Sequence, residues 1–336
     1  MKKILVTGGL GYIGSHTVVE LINQSFEVII VDDLSNSEAS ILDRIEQITN
    51  TKPTFYQIDL KDKVALEKLF QSHKIDGIIH FAAYKAVGES QKKPIEYYEN
   101  NLVGLLNILK YSTEYQVKSF IFSSSCTVYG QADELPITEK APLKKPESVY
   151  GKTKQFGEEI IIDVTNVNDI NCILLRYFNP IGAHPTSLIG ELPIGIPNNL
   201  IPFVTQTAAG IRESLSIFGN DYPTEDGTAI RDYIYVVDLA KAHIQSLIRL
   251  LNNENESKIE IYNLGTGKGS SVKEVVETFE KVNDLKLNYH YAPRREGDII
   301  SAYADCDLVQ NKLNWKAETS LADALKTSWN WQKTLA

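Results

Sequence analysis

Tyr150 and Lys154 stand four residues apart in Ser148-Val-Tyr-Gly-Lys-Thr-Lys154, where an amphipathic run marked by Phe156, Ile160, Ile161 and Val164 begins. On a helix, positions i and i+4 lie one above the other on the same face. An ammonium beside a phenol favours the phenolate. A phenolate near neutral pH is a base able to take a proton from a hydroxyl. The spacing alone is met equally by an ordinary helix start with a solvated lysine, so its meaning depends on the elements around it.

The first of those elements is at the N-terminus. Lys3-Ile-Leu-Val-Thr7 reads as a short buried parallel strand. Gly8-Gly-Leu-Gly-Tyr-Ile-Gly14 follows, and then a helical run through His16, Val18, Val19, Leu21 and Ile22. The pattern Gly9-x-Gly11-x-x-Gly14 between a strand and a helix is the dinucleotide fingerprint. Its glycines permit a tight turn, close approach to a pyrophosphate and close helix–strand packing, and the helix N-terminus receives the anion. A second apolar run, Phe26 to Val31, ends at Asp32. A carboxylate there binds a ribose diol and repels a 2′-phosphate, which favours NAD over NADP.

Alternation continues through strands at 54–58, 76–83, 118–122 and 171–177, and helices at 63–72, 94–115 and 148–168. The fold class is α/β, a Rossmann-type doubly wound parallel sheet with a smaller C-terminal α/β substrate domain. Residues 1–178 form the NAD-binding domain, with a return segment at about 233–265. Residues 179–232 and 266–336 form the smaller second domain. The 178–232 stretch, rich in Pro, Gly and Asn, reads as loop-dominated cover for the strand ends, and 271–336 as supplying two more helices.

The chain has 336 residues, 43% of them hydrophobic, which suffices for one large or two joined domains. Its formal net charge is −9 and it has no basic run, so nucleic acid and anionic membrane are excluded as partners. Cys126, Cys172 and Cys306 are scattered, odd in number and without metal-ligand spacing. They argue against a disulfide framework or a metal site and for a reducing, cytoplasmic setting. No stretch of 18 apolar residues is present, and the short N-terminal apolar run is read as a strand, not a signal segment.

With a glycine fingerprint, a Tyr-x-x-x-Lys helix start and the strand end Ser123-Ser-Ser, the chain resembles the extended short-chain dehydrogenases/reductases. Longer blocks sharpen this: Gly8 to Gly14, Phe81 to Glu89, Ser123 to Gly130, Leu175 to Pro180, Ile196 to Pro202, Ile217 to Asp232 and Ala292 to Asp298 are similar to the UDP-glucose (UDP-galactose) 4-epimerase family over essentially the whole length. The resemblance implies tightly retained NAD, a UDP-sugar substrate and a cytosolic homodimer joined through helices. At matching positions, Gly8, Gly11, Tyr12, Ile13, Gly14, Asp32, Asp33, Leu34, Ser35, Asn36 and Ser37 would hold NAD. So would Asp59, Leu60, Phe81, Ala82, Ala83, Lys85, Asn100, Ser123, Ser124, Tyr150, Lys154, Tyr177 and Phe178. Lys85, Ser125, Tyr150, Asn179, Asn199, Leu200, Ile217, Phe218, Gly219, Arg231, Arg295, Asp298 and Ala302 would meet the substrate. The chemistry suits these roles, because arginine forks onto phosphate oxygens better than any other side chain.

The resemblance also implies a reaction. Tyr150 takes the 4-hydroxyl proton while hydride passes to the nicotinamide. The 4-keto sugar swings about its diphosphate link, and hydride returns from enzyme-bound NADH to the other face. Lys154 supports the phenolate, and Ser125 relays the proton or polarises the keto oxygen. Alternatives are a nucleotide-sugar dehydratase, an alcohol dehydrogenase that releases NADH, and a non-catalytic NAD-binding sensor. Dehydratases carry an acid–base pair after the strand-end Ser or Thr, whereas Ser125 precedes Cys126-Thr127-Val128. In the resembled family a residue four beyond the Asp of Arg-Glu-Gly-Asp gates the sugar 2-position. Here that residue is Ala302, followed by Tyr303, and a small gate admits an N-acetyl group, so UDP-GlcNAc and UDP-GalNAc are further expected substrates.

Overall fold

The computed structural model describes residues 1–295 and 298–335. Glu296 and Gly297, in the Pro293–Asp298 loop, lie outside the described residues. The chain clusters into two compact units: 1–130, 143–176 and 240–262 form the first, and 131–142, 177–239 and 263–336 the second.

The first unit is built on a seven-stranded sheet. Its strands are β1 (Lys3–Thr7), β2 (Glu27–Asp32), β3 (Thr54–Gln57), β4 (Gly77–His80), β5 (Ser119–Ser123), β6 (Asn171–Tyr177) and the Ile259–Leu264 strand. The order across the sheet is Ile259–Leu264, β6, β5, β4, β1, β2, β3. All five pairings among β1 to β6 run parallel. Such strands are buried on both faces and so read as continuous apolar runs. Leu5, Ile29, Ile78, Phe120 and Leu174 pack on one face with Leu66, Phe70, Ile108 and Leu109 from the covering helices. In register, Thr7 lies beside Val31 and His80, and His80 beside Phe122. Thr7, Asp32, His80 and Ser123 therefore end at one carboxyl edge, where ligands bind in open α/β sheets.

The expected helix from Pro94 to Tyr115 forms, but with a π-helical turn at Glu99–Val103 between α-helical Pro94–Tyr98 and Gly104–Glu114. Such one-turn insertions occur mostly at functional sites.

In the second unit, Asn179–Ile181 pairs in parallel with Tyr233–Tyr235, and Leu215–Phe218 with Tyr289–Ala292. Ile230–Arg231 lies between antiparallel Ser270–Ser271 and parallel Ser301–Ala302. The 178–232 stretch is loop-dominated, as expected, and also contains the Leu200–Ala208 helix, whose Pro202 sits in the first turn, where proline lacks no needed donor. One expectation is corrected: among the described residues the C-terminal stretch supplies three helices, Val272–Asn283, Asp307–Leu313 and Leu321–Lys333. Residues 131–142, placed by sequence with the first domain, cluster with the second unit. Ile137 bonds through its N–H to the Tyr303 carbonyl at 2.9 Å, and its carbonyl accepts from the Asn263 side chain at 2.8 Å.

Candidate active site

Two glycines of the first unit's glycine turn, Gly8 and Gly14, have no room for a side chain. A methyl on Gly14 would lie 2.1 Å from the Gly8 carbonyl oxygen. Gly8 has φ +69°, and a methyl there would lie 2.8 Å from the Ala82 nitrogen. The turn leads directly into the Tyr12–Asn23 helix. A backbone cradle at a helix N-terminus is what a pyrophosphate requires. Asp32 is buried at the end of β2, where its carboxylate accepts from the Leu10 and Leu34 N–H groups at 3.0 Å and from the Ser37 hydroxyl at 2.7 Å. Burial raises its pKa against the pull of these donors. Asp33 accepts from the Ser35 N–H and hydroxyl, and Asn36 lies exposed in the same turn.

Other predicted cofactor residues gather on the same unit. Asp59 pairs with Lys61, whose ammonium also reaches the Asn100 side-chain oxygen at 3.3 Å. The Leu60 carbonyl accepts from Asn107. Past β4, Phe81 packs on His243 with ring centroids 4.7 Å apart, and the Ala82 N–H donates to the Thr7 hydroxyl. Ala83 is half-buried, and the Lys85 ammonium sits 5.8 Å from the Tyr12 ring centroid, with Ile13 beginning the same helix.

The residues read as a proton-transfer set lie near the end of β5. Ser148 caps the Val149–Val167 helix by accepting from the Gly151 N–H. Tyr150 and Lys154 then fall one turn apart, both buried. The Lys154 ammonium donates to the Ser123 carbonyl at 2.6 Å and lies 4.9 Å from the Phe122 ring centroid and 5.9 Å from that of Tyr150. Burial lowers its pKa to about 8, with the Glu158 carboxylate opposing the fall, so it is cationic at neutral pH. Ser125 is buried and opens the short Cys126–Tyr129 3-10 turn, its hydroxyl accepting from the Thr127 N–H at 3.2 Å. Ser124 is fully buried and its hydroxyl donates to Glu158 at 2.5 Å, so only its main chain faces the role sequence gave it.

Two buried neighbours of these residues went unread in the sequence. Asn101, on the π turn, accepts from the Tyr84 N–H at 2.7 Å and donates to the Tyr84 carbonyl and the Thr153 hydroxyl. Thr153 in turn donates to the Tyr150 carbonyl at 2.8 Å. One amide thus links the loop after β4 to the helix that carries Tyr150. His80, at the end of β4, contacts the Thr7 hydroxyl at 2.8 Å and stacks on Phe122. Burial, with Lys154 nearby, lowers its pKa to about 3, so it stays neutral.

In the second unit, Arg231 pairs with Asp298 and donates to its own neighbour's carbonyl at Ile230. Asp232, next in sequence, is fully buried and anchored by Thr266, Gly267 and Ala304, which fixes the chain at Arg231. The Arg295 guanidinium lies 4.0 Å from the Phe218 ring centroid, and burial lowers its pKa. Ile217 is buried, so it presents only its main chain, and Gly219 turns at φ +81°, where a methyl would lie 2.4 Å from Tyr222. Asn199 precedes Leu200 at the helix start and donates to Glu191 at 2.6 Å. Asn179 bonds to the Asp232 carbonyl, and Phe178 to that of Leu264, while Tyr177 closes β6. Ala302 is 2% exposed and lies in register beside Arg231. Tyr303 packs instead against Gly269, where an added methyl would lie 3.0 Å from its ring. Among the described residues no cluster of His, Cys, Asp or Glu could hold a metal ion.

A doubly wound sheet with a glycine cradle, a buried carboxylate ending its second strand and a Tyr/Lys pair at its carboxyl edge defines an extended short-chain dehydrogenase/reductase. The family model of GDP-mannose 4,6 dehydratase matches residues 5–328. UDP-glucose 4-epimerase of Bacillus subtilis is 49% identical over 98% of this chain and 97% of its own. The structure of UDP-glucose 4-epimerase from Stenotrophomonas maltophila, with bound NAD and formylated UDP-arabinopyranose, superposes with a TM-score of 0.96 at 44% identity, covering 100% of this chain and 99% of that one. That of Bifidobacterium longum, in complex with NAD+ and UDP, gives 0.95 at 46% identity, covering 99% and 98%. The chain belongs to the UDP-glucose 4-epimerase family of NAD-dependent isomerases.

Proposed function

We propose that this chain interconverts UDP-glucose and UDP-galactose, with Tyr150 as the base at the sugar 4-hydroxyl. The observation that carries the assignment is the buried Lys154 ammonium, seated on the Ser123 carbonyl 5.9 Å from the Tyr150 ring. Its charge favours the phenolate. Bound NAD supplies the acceptor and donor of the C4 hydride. Tyr150 takes the hydroxyl proton and returns it, and Ser125 donates to the oxygen as its charge develops. Asp32 takes the adenosine ribose, the Gly8–Gly14 turn the pyrophosphate, and Lys154 also the nicotinamide ribose. Arg231, Arg295, Asn199 and the 217–219 main chain hold UDP. Inversion demands a firm grip on UDP and a loose one on the hexose, so that both sugar faces present. Elimination of water is not favoured, because positions 126–128 carry no carboxylate. Tyr150→Phe should lower turnover by at least 10³-fold, on the order of what a general base supplies, while NAD content and UDP affinity stay unchanged. Turnover near that of the parent protein would refute the assignment.

The substrate range extends, on this reading, to UDP-GlcNAc and UDP-GalNAc. The support is the small Ala302 beside Arg231, with the bulk of Tyr303 directed at Gly269. An assay with UDP-GlcNAc tests it, and activity below about a thousandth of that on UDP-glucose would refute it.

The active form is a cytosolic homodimer. Supporting this are the exposed apolar side chains Ile95 (70%), Leu106 (47%) and Phe156 (42%) on helices of the first unit, with Phe156 stacked on Tyr98. A second copy of the chain covers such a patch through an isologous helix interface.

A further inference from the structure

Glu158 lies one turn beyond Lys154 and two beyond Tyr150, and it is buried. Arg176 forks its carboxylate, with Nε to Oε1 at 3.0 Å and Nη2 to Oε2 at 2.6 Å. The Ser124 hydroxyl donates to the same carboxylate at 2.5 Å. Arg176 Nη1 donates to the Tyr129 hydroxyl at 3.0 Å, and the guanidinium lies 4.9 Å from that ring's centroid. Gln155, on the same helix, donates to the Val128 carbonyl at 2.7 Å. Gln155 donates also to the Lys144 carbonyl, but with the bond from Lys154 to Ser123 four of these side chains reach residues 123–129, the run that contains Ser125.

A buried ion pair is a weak stabiliser, because desolvation offsets the attraction, and packed apolar residues would serve stability as well. What the fork supplies is anchorage. The Ser124 N–H bonds back to the Phe122 carbonyl at 3.0 Å, so the chain turns as it leaves β5. Fixing the Ser124 side chain on Glu158 holds that turn and the residue after it, Ser125.

We propose that Glu158 and Arg176 are positioning residues for the reaction: through Ser124 and Tyr129 they lock the 123–129 run onto the Val149–Val167 helix and hold Ser125 in register with Tyr150 and Lys154. The inference rests on the reading of those three as the reacting set. Neither Glu158 nor Arg176 touches the reacting atoms in this scheme.

The test uses the holoenzyme and two variants. Ser124→Ala removes one link and leaves the ion pair intact. Glu158→Gln removes the fork's charge. A misplacement of about 1 Å costs on the order of 10²-fold in rate. The expectation is a kcat about 10-fold lower in Ser124→Ala and about 100-fold lower in Glu158→Gln, with KM for UDP-glucose within about threefold, because UDP is held by other residues. The control is Glu260→Gln, at the buried Arg249–Glu260 pair of the same unit. It should lower Tm but leave kcat within about twofold. Unchanged kcat in a folded Ser124→Ala protein overturns the proposal, as does an equal kcat loss in Glu260→Gln. If Glu158→Gln does not fold, Ser124→Ala decides alone. Tyr150→Phe is measured alongside. Its retention of turnover would remove the underlying reading, whereas its inactivity beside an unimpaired Ser124→Ala would remove the positioning role only.

Discussion

Replacing Lys154 by methionine removes a charge and keeps the reach of the side chain. The ammonium is 5.9 Å from the Tyr150 ring centroid, and burial leaves it cationic below about pH 8. Taking the centroid as the seat of the phenolate charge and an effective dielectric of about 20, the attraction is about 2.8 kcal/mol, a factor of about 100 in ionisation. Lys154→Met should therefore lower kcat at pH 7 by about 100-fold and move its acidic limb upward by about two pH units. The profile is best followed by NMR of UDP-galactose converting to UDP-glucose from pH 6 to 10, with saturating NAD added. Bound NAD is quantified in parallel, since Lys154 is also assigned to the nicotinamide ribose. An unmoved acidic limb in NAD-loaded protein would refute the electrostatic argument, even if overall activity had fallen.

Ala302→Tyr should abolish activity on UDP-GlcNAc while leaving UDP-glucose turnover within about threefold, because it fills space only the N-acetyl group needs; equal losses on both sugars would count against the gate. Leu106→Glu, on the exposed helix face of the first unit, should convert a dimer to a monomer in light scattering, and an unchanged mass would exclude that face. His80 has a folded pKa of about 3 against an ordinary value of 6.5, so the unfolded chain binds more protons between those values. Its contribution to stability is present above pH 6.5 and is lost as pH falls, at about 1.4 kcal/mol per pH unit. The urea-stability difference between parent and His80→Gln should shrink at that rate below pH 6, and a constant difference would argue against a neutral buried His80.

The site was legible where chemistry demands a residue type at a fixed spacing. Gly8 and Gly14 admit no side chain, Asp32 must end β2, and Tyr150 and Lys154 must share a helix face, so each left a mark in the sequence. Asn101 left none, because it is turned inward by a π insertion that apolar periodicity does not register. In Ser123-Ser-Ser125 nothing in the letters says that the middle side chain turns inward onto Glu158. The Leu200–Ala208 helix was hidden by Pro197 before it and Pro202 in its first turn, and residues 131–142 by long-range pairing with Tyr303 and Asn263. Fold class survived these misses because strand–helix alternation is a signal of many residues, whereas each miss concerned one backbone turn or one distant partner.

The division of the chain into two separately clustered units has a consequence for how such an enzyme changes over generations. The groups assigned to proton transfer, Ser125, Tyr150 and Lys154, belong to one cluster, and those assigned to grip and gating, Arg231, Arg295 and Ala302, to the other. Ala302 sits on a two-residue strand in register with Arg231, whereas Lys154 is seated on the Ser123 carbonyl. On the proposed roles, the menu of sugars and the acid–base apparatus are written in different stretches of the chain, and selection can act on each through its own substitutions.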